Sequence, residues 1–372
     1  SMTELNQHLC KLIKLHGPIT ISNYMTEALT NPKYGYYMQQ KPFGAKGDFI
    51  TAPEVSQMFG ELIGLWFADI WLKMDRPRKV HFIELGPGNG TLMFDIIRVL
   101  KVLPDLLDVM EIHFVEASPA LCEIQKKKMS QFGGKINWHE TVKTALNACE
   151  KEYETTFVVA NEFFDALPIR QFQKGDLGWH ERVVTVDNKG DGLQTMLPPF
   201  PVKDIKLPLA LKDAEINSVI EISPMAEYLT TEISHHIKQY SGAALFIDYG
   251  YTKNRTGETL QAVQKHKYAN IYEKPGLADL SAHVNFRRLA NIISASDLNP
   301  HGPTFQGKFL TNMGIEERVK ILTKTATAEQ IKDIINALKR LVAPDEMGTL
   351  FKVLGIVSNP DIDVVGFHND ES

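Results

Sequence analysis

A chain of 372 residues, 44% hydrophobic and 23% charged, holds enough apolar material for one large decorated domain or for two ordinary ones. A net charge of -5 gives no support to nucleic-acid binding through bulk charge, and the most apolar run, residues 62–72, is too short to span a bilayer and carries Asp69. The three cysteines, Cys10, Cys122 and Cys149, are odd in number and form no CxxC pair, which fits a reducing compartment and argues against a disulfide frame or a thiolate metal site.

Ser1-Met2 reads as a remnant of tag removal, so the natural start is expected to differ, and no secretory signal is visible. Residues 3–15 carry an apolar stripe at Leu5, Leu9, Leu12 and Ile13 and predict a helix stopped by Gly17-Pro18. A second short helix is predicted over 19–29. The stretch 44–54, GAKGDFITAPE, has two glycines, a proline and few core residues. It reads as a surface loop on composition, or as a lid over a pocket on length. Residues 55–72 predict a helix with a broad buried face through Met58, Phe59, Leu62, Ile63, Trp66, Phe67 and Ile70.

From Val80 the pattern alternates strand and helix, which predicts an α/β fold with a mostly parallel sheet. Strands are expected at 80–85, 111–116, 136–139, 157–160 and 243–247, with a short one at 219–222 and a helix over 225–240. Residues 170–187 alternate apolar and polar and predict a β-hairpin; residues 252–279 read as a long polar loop; residues 280–294 predict a helix. Strands near 303–306 and 350–357 would complete the sheet. Between them lie helices at 315–324 and 328–342, the second with a capping box at Thr327 and Gln330 and core positions Ile331, Ile334, Ile335, Leu338 and Leu341. By pattern the chain divides into an N-terminal helical and lid region (1–75), a core with a hairpin insertion near 170–215 (76–300), and a last portion with a helical insertion at 314–344 (301–372).

The stretch 80–98, VHFIELGPGNGTLMFDIIR, is a strand, a glycine turn and a helix, the opening unit of a nucleotide-binding α/β fold. A dinucleotide fingerprint would be G-x-G-x-x-G, but Gly86, Gly88 and Gly90 are followed by Thr91. The spacing matches instead the E/D-x-G-x-G-x-G turn of class I S-adenosylmethionine-dependent methyltransferases. Glu84 would orient the turn or meet the amino end of such a ligand. Glu116, closing the next strand, is placed to accept from both ribose hydroxyls, a role that NAD would use equally. A plain tight turn and an ordinary strand-end acid are the competing readings of these residues.

Asn161 and Glu162 follow the strand at 157–160, where the carboxyl edge of a parallel sheet opens onto ligand. Methyl transfer is an in-line displacement, so the enzyme mainly aligns acceptor and sulfonium. An arginine acceptor, with a pKa above about 12, would call for carboxylates that clamp the guanidinium and hold its charge away from the attacking nitrogen. Glu162 and Asp165 are the candidates, with a helix cap as the competing role for Asp165. Asp248 after the fifth strand either closes the pocket or makes a structural hydrogen bond. His283 faces an acceptor or caps a helix.

The segments 47–61 (GDFITAPEVSQMFGE), 83–92 (IELGPGNGTL), 160–168 (ANEFFDALP), 246–251 (FIDYGY), 278–286 (ADLSAHVNF) and 309–318 (FLTNMGIEER) together resemble the MidA-like family. That family includes a mitochondrial complex I assembly-factor methyltransferase. The resemblance runs from about Leu12 to Val357, with GDFITAPE and NEFFDALP its most particular motifs. It implies a class I, Rossmann-like methyltransferase sheet with added N-terminal helices, a β-hairpin insertion and a C-terminal helical insertion. It further implies S-adenosyl-L-methionine as cofactor, with Gly86, Gly88 and Gly90 as its turn and Glu116 as the ribose acid. Asn161 and Glu162 fall on the acceptor-side loop, and Thr51 to Glu54 on the covering segment. The implied activity is protein-arginine methylation, on a partner such as a respiratory complex I subunit. A fold retained as a non-catalytic assembly factor is the alternative, and a nicotinamide oxidoreductase, disfavoured by Thr91, is a third. No metal, nucleic acid or membrane insertion is expected, and a homodimer is left open. The compartment would be the cytoplasm in a bacterium, or the mitochondrial matrix in a eukaryote after leader removal.

Overall fold

The computed structural model describes residues 2–39 and 50–368, which form two compact units. The part of the predicted lid at 44–49 lies outside the described residues. Neither unit is a continuous stretch of sequence: one is made of residues 1–49, 165–228 and 253–285, the other of 50–164, 229–252 and 286–372.

The second, larger unit is built on a seven-strand path. Its strands, numbered within this sheet, are β1 (Val80–Leu85), β2 (Met110–Val115), β3 (Ile136–His139), β4 (Thr155–Asn161), β5 (Gly242–Tyr251), β6 (Pro300–Phe305) and β7 (Phe351–Val357). They lie in the order β6-β7-β5-β4-β1-β2-β3. β1 pairs in parallel with β2 and β4, β4 with β5, and β2 with β3; β7 alone runs against its neighbours β5 and β6. The order therefore reverses direction at β1, the switch point at which α/β sheets open a crevice at the strands' carboxyl ends. This is the α/β fold with a mostly parallel sheet that the alternation of strand and helix predicted.

Its interior explains the order. β1, β2 and nearly all of β4 are buried on both faces, as central parallel strands must be when helices cover both sides. The Gln57–Lys73 helix brings Phe59, Ile63, Trp66, Phe67 and Ile70 into that core, against Phe82 and Phe157. Glu61 on the same helix is buried and paired with Arg318 of the Ile315–Thr323 helix, its carboxylate oxygen 2.5 Å from the guanidinium. That pair ties the C-terminal insertion to the core. The Ala328–Val342 helix has the predicted capping box. Its apolar face is shallower than expected: Leu341 is buried, but Ile335 is exposed, because the insertion lies at the rim of the unit's core.

The first unit packs the Glu4–His16 and Ile21–Thr30 helices through Leu5, Leu9, Ile13, Tyr24 and Met25 onto Ile169, Val184 and Leu280. Three sequence expectations change here. The predicted hairpin over 170–187 is shorter: Arg170–Gly175 pairs with Gly178–Glu181, while Val183–Val186 leaves to join Ile19–Thr20 and Leu193–Met196. The polar loop at 252–279 holds a hairpin, Gln261–Gln264 with Lys267–Ala269, whose first strand also pairs with Asp279–Ser281. Its turn residues Lys265 and His266 both have positive φ, so the usual Asn-Gly or Gly signal of such a turn is missing. For the same reason the helix expected from 280 starts only at Phe286. Among the described residues no helix is long and apolar enough to cross a membrane.

Candidate active site

The glycine turn leaves the carboxyl end of β1 and enters the Thr91–Leu100 helix. Gly86, Gly88 and Gly90 have φ values of +62°, +58° and +81°, a region that costs any other residue strain. A side chain at Gly86 would press on the Phe163 ring, whereas one at Gly88 would meet nothing within 4 Å among the described residues. Gly88 thus borders open space, the condition for close approach of a ligand to the backbone.

Two acids flank this turn, Glu84 buried and Glu116 half-buried. Glu84 is 3% exposed, and its Oε1 has no hydrogen-bond partner among the described residues. Burial, with the charge of Glu116 adding to it, pushes the Glu84 carboxyl up to about 8, while the backbone of Met93 pulls the other way. Glu116 follows β2 and is also pushed up by burial, against hydrogen bonds from Ser118, Gln125 and the backbone of Gly88 and Ala117. Its Oε2 accepts from Ser118 N at 3.2 Å, and its Oε1 from Gln125 Nε2 at 3.0 Å.

Gln125 was not among the residues the sequence pointed to. It is fully buried on the Pro119–Lys128 helix, and the same amide nitrogen lies 2.8 Å from the Gly88 carbonyl oxygen. Trp138 Nε1 donates to Gln125 Oε1 at 3.0 Å; since an indole N–H only donates, this bond fixes which way the amide points. The sequence did hold a signal, a glutamine four residues after Leu121 on the helix's inner face. Thr91, read only as the residue in the third-glycine place, also has a contact of its own: its hydroxyl donates to Glu54 Oε1 at 2.5 Å. Glu54 belongs to the Ala52–Val55 helical turn, preceded at its N-cap by Thr51, whose carbonyl accepts from Glu54 N at 2.9 Å. The end of the predicted lid is therefore fastened to the first residue of the helix that the glycine turn opens.

On the other side of β1, β4 ends at Asn161, in register with Ile247 of β5. Asn161 Oδ1 is buried and without a hydrogen-bond partner among the described residues. Glu162 then adopts φ +53°, rare for a non-glycine residue, with its N–H donating to the Ile247 carbonyl at 2.9 Å. Departures of this kind cost energy and concentrate at sites of function. Asp248, next along β5, is fully buried, and its Oδ1 accepts from Tyr249 N at 2.8 Å.

Glu84, Gly86, Gly88, Gly90, Glu116, Thr51, Glu54, Asn161 and Glu162 all lie in the second unit. Asp165 and His283 belong to the first. There the Asp165 carbonyl accepts from Ala282 N at 2.9 Å, which brings the two residues' backbones together. His283 N donates to Thr259 Oγ1 at 2.9 Å, and its ring Nδ1 lies 3.4 Å from an Arg255 nitrogen. His283 stands ahead of the helix that begins at Phe286, not within it.

The donor set around the glycine turn fits an amino-acid end joined to a nucleoside. An orphaned buried carboxylate oxygen suits an ammonium, a Cβ-free cradle suits close backbone approach, and a braced acid at the end of β2 suits a pair of ribose hydroxyls. Comparison with known proteins points the same way. Residues 62–304 match the model of a family described as "Putative S-adenosyl-L-methionine-dependent methyltransferase". The chain is 36% identical to protein arginine methyltransferase NDUFAF7, mitochondrial, of Xenopus tropicalis, over 96% of this chain and 86% of that one. The Homo sapiens protein of the same name is also 36% identical, over 96% of this chain and 84% of its own length. Among solved structures, a superfamily member from Burkholderia thailandensis bound to S-adenosyl-homocysteine is 27% identical, covers 98% of this chain and 94% of its own, and superposes with a TM-score of 0.82.

Proposed function

The chain belongs to this family of S-adenosyl-L-methionine-dependent methyltransferases, and from that premise we propose that it methylates arginine on a partner protein. The observation that carries the cofactor half of this reading is the braced turn: Gln125 holds both Gly88 and Glu116, beside the unsatisfied Oε1 of Glu84. In this reading the Gly86–Gly90 backbone follows the amino-acid end, Glu84 accepts from its ammonium, and Glu116 accepts from the ribose hydroxyls. Thr51 and Glu54 hold the covering segment over them.

S-adenosyl-L-methionine, when bound, supplies an electrophilic methyl on a sulfonium. The protein's part is then alignment and charge. Asn161 and Glu162, at the end of β4, are the residues we assign to the acceptor: Asn161 Oδ1 accepts from a guanidinium N–H, and Glu162 pairs with the guanidinium and draws its charge from the attacking nitrogen. The nitrogen lone pair forms the new bond to carbon as the carbon–sulfur bond breaks, and a proton leaves the nitrogen afterwards. Asp165 and His283 are assigned to the side of the acceptor peptide. The names of the relatives, protein arginine methyltransferase, support the guanidinium over other acceptors.

A respiratory complex I subunit is the acceptor we propose, in the mitochondrial matrix of a eukaryote or the cytoplasm of a bacterium, with a homodimer as the assembly to be checked by light scattering. The test is direct. Calorimetry should show one S-adenosyl-L-methionine site, and protein incubated with labelled cofactor and a respiratory-membrane extract should place label on arginine, read by mass spectrometry. Label confined to lysine or to small molecules would sink the arginine assignment; absence of cofactor binding would sink the whole reading.

A further inference from the structure

At the opposite end of the sheet from the glycine turn, four side chains with metal-binding atoms converge. His81 lies near the start of β1, Glu111 and His113 on β2, and Cys149 at the end of the Val142–Ala148 helix, all of them buried. His81 Nδ1 and His113 Nε2 are 2.9 Å apart. Glu111 Oε2 lies 3.0 Å from the first and 3.4 Å from the second. Cys149 Sγ lies 3.6 Å from His113 Nε2, and the ligand atoms of His81, His113 and Cys149 all fall within 4.8 Å of one another.

Hydrogen bonding among these groups leaves the cluster short of protons. A ring nitrogen makes one hydrogen bond, as donor or acceptor. Yet His113 Nε2 faces an imidazole nitrogen, a carboxylate and a thiol, and His81 Nδ1 faces the first two kinds. The outer nitrogens are already engaged: His81 Nε2 lies 3.3 Å from Glu154 Oε2, and His113 Nδ1 lies 2.9 Å from His139 Nε2. A neutral imidazole that donates outward to a carboxylate or to another ring turns its lone pair inward. That arrangement, with a carboxylate behind a histidine, is how metal-ligating histidines are oriented.

We infer that His81 Nδ1, His113 Nε2, Cys149 Sγ and Glu111 Oε2 form a closed site for a divalent cation of the zinc class. Tetrahedral zinc, with bonds of about 2.0 to 2.3 Å to nitrogen, oxygen and sulfur, sets its donors roughly 3.3 to 3.6 Å apart. The four spacings of 2.9, 3.0, 3.4 and 3.6 Å that centre on the two histidines lie near that range, and Cys149 Sγ stands within 4.8 Å of the His81 donor, so a bound ion would draw Cys149 and Glu111 inward to complete the shell. One thiolate, two imidazoles and one carboxylate favour zinc over the oxygen-seeking magnesium and calcium. Four protein ligands leave no open position, and β1 carries His81 about 15 Å from the turn by strand rise. The site is structural: it clamps β1, β2 and the helix end carrying Cys149, and it takes no part in methyl transfer.

The full chain, stripped with a chelator and desalted, is titrated with Co²⁺ and then with Zn²⁺. One equivalent of Co²⁺ per chain is expected, with a thiolate-to-cobalt charge-transfer band that one equivalent of Zn²⁺ abolishes. Cys149→Ala should lose the band and weaken Zn²⁺ binding at least about tenfold, while Cys122→Ala leaves both unchanged. Uptake below a tenth of an equivalent overturns the inference. So does cobalt bound without the thiolate band, or a band that survives Cys149→Ala. Should that variant fail to fold, X-ray absorption of the zinc-loaded wild type decides: one sulfur among four neighbours is expected, and a shell of nitrogen and oxygen alone overturns it.

Discussion

The side-chain amide of Gln125 donates to Glu116 Oε1 at 3.0 Å while the same nitrogen lies 2.8 Å from the Gly88 carbonyl, so one buried residue sets the distance between the acid and the turn. Replacing it with leucine roughly keeps the volume and removes both of these bonds, together with the one that Gln125 Oε1 accepts from Trp138. Losing a hydrogen bond to a buried charged group costs about 1.5 to 3 kcal/mol. In the Gln125→Leu variant this should appear as an S-adenosyl-L-methionine Kd weakened roughly tenfold or more, with turnover at saturating cofactor nearly unchanged. Calorimetry gives the first and initial rates the second. An affinity within twofold of wild type would mean that Glu116 does not meet the cofactor.

Glu84 makes a prediction in pH. Its carboxyl is pushed up to about 8 from the ordinary 4.5, first by burial and then by Glu116. A group whose pKa rises on folding contributes stability that is full below the unfolded value and is lost as pH climbs through the folded one. The cofactor-free protein should therefore lose on the order of a few kcal/mol between pH 4.5 and 8, and Glu84→Gln should flatten the profile of Tm over that window. An ammonium against the carboxylate favours the ionised form, so cofactor binding at pH 7 should expel up to about one proton. Calorimetry in two buffers of different ionisation enthalpy measures it; equal heats in both would exclude Glu84 as the ammonium partner.

Glu162 separates enzyme from scaffold. Its left-handed backbone, φ +53°, is anchored by a 2.9 Å bond from its N–H to the Ile247 carbonyl, and that bond does not depend on the side chain. Glu162→Gln is isosteric and removes only the charge. We expect cofactor affinity within about twofold of wild type and turnover lowered by roughly a hundredfold or more, the scale of losing one charge-stabilising group. Retained turnover would show that the acceptor is held by other residues.

How far the sequence reached follows from what each signal depends on. Central parallel strands and the glycine turn are local patterns: β1 spans the expected 80–85, and its following helix runs two residues past the expected stretch, to Leu100. The capping box at Thr327 is equally local. The hairpin at Lys265-His266 was hidden because its turn uses two long side chains at positive φ where glycine or asparagine would have marked it. Gln125, Trp138 and Thr91 escaped for a different reason: each acts by reaching a residue distant in sequence, and nothing in a polar residue's neighbours announces its partner. The same holds for His81, His113 and Cys149, whose sequence spacing resembles no metal motif because they arrive on two strands and a helix end. Thr51 to Glu54 were marked by resemblance, yet the bond that fastens Glu54 to Thr91 was readable only in three dimensions.

Gly88 distinguishes a residue kept for folding from one kept for ligand. Gly86 and Gly88 share nearly the same backbone, φ +62° and +58°, so alanine costs each about 1 to 2 kcal/mol of conformational strain. Their surroundings differ. A methyl at Gly86 would sit 3.1 Å from Phe163, while a methyl at Gly88 would meet no described residue within 4 Å. Gly86→Ala should thus lower Tm more than Gly88→Ala, because only the former must also displace an aromatic ring. Cofactor binding should rank them otherwise. At Gly88 the new methyl occupies the volume assigned to the amino-acid end of S-adenosyl-L-methionine, so its Kd should rise by at least about tenfold although the protein stays folded. Thermal melts and calorimetry on the two variants test both rankings, and a folded Gly88→Ala protein that binds cofactor as wild type does would place the ligand elsewhere.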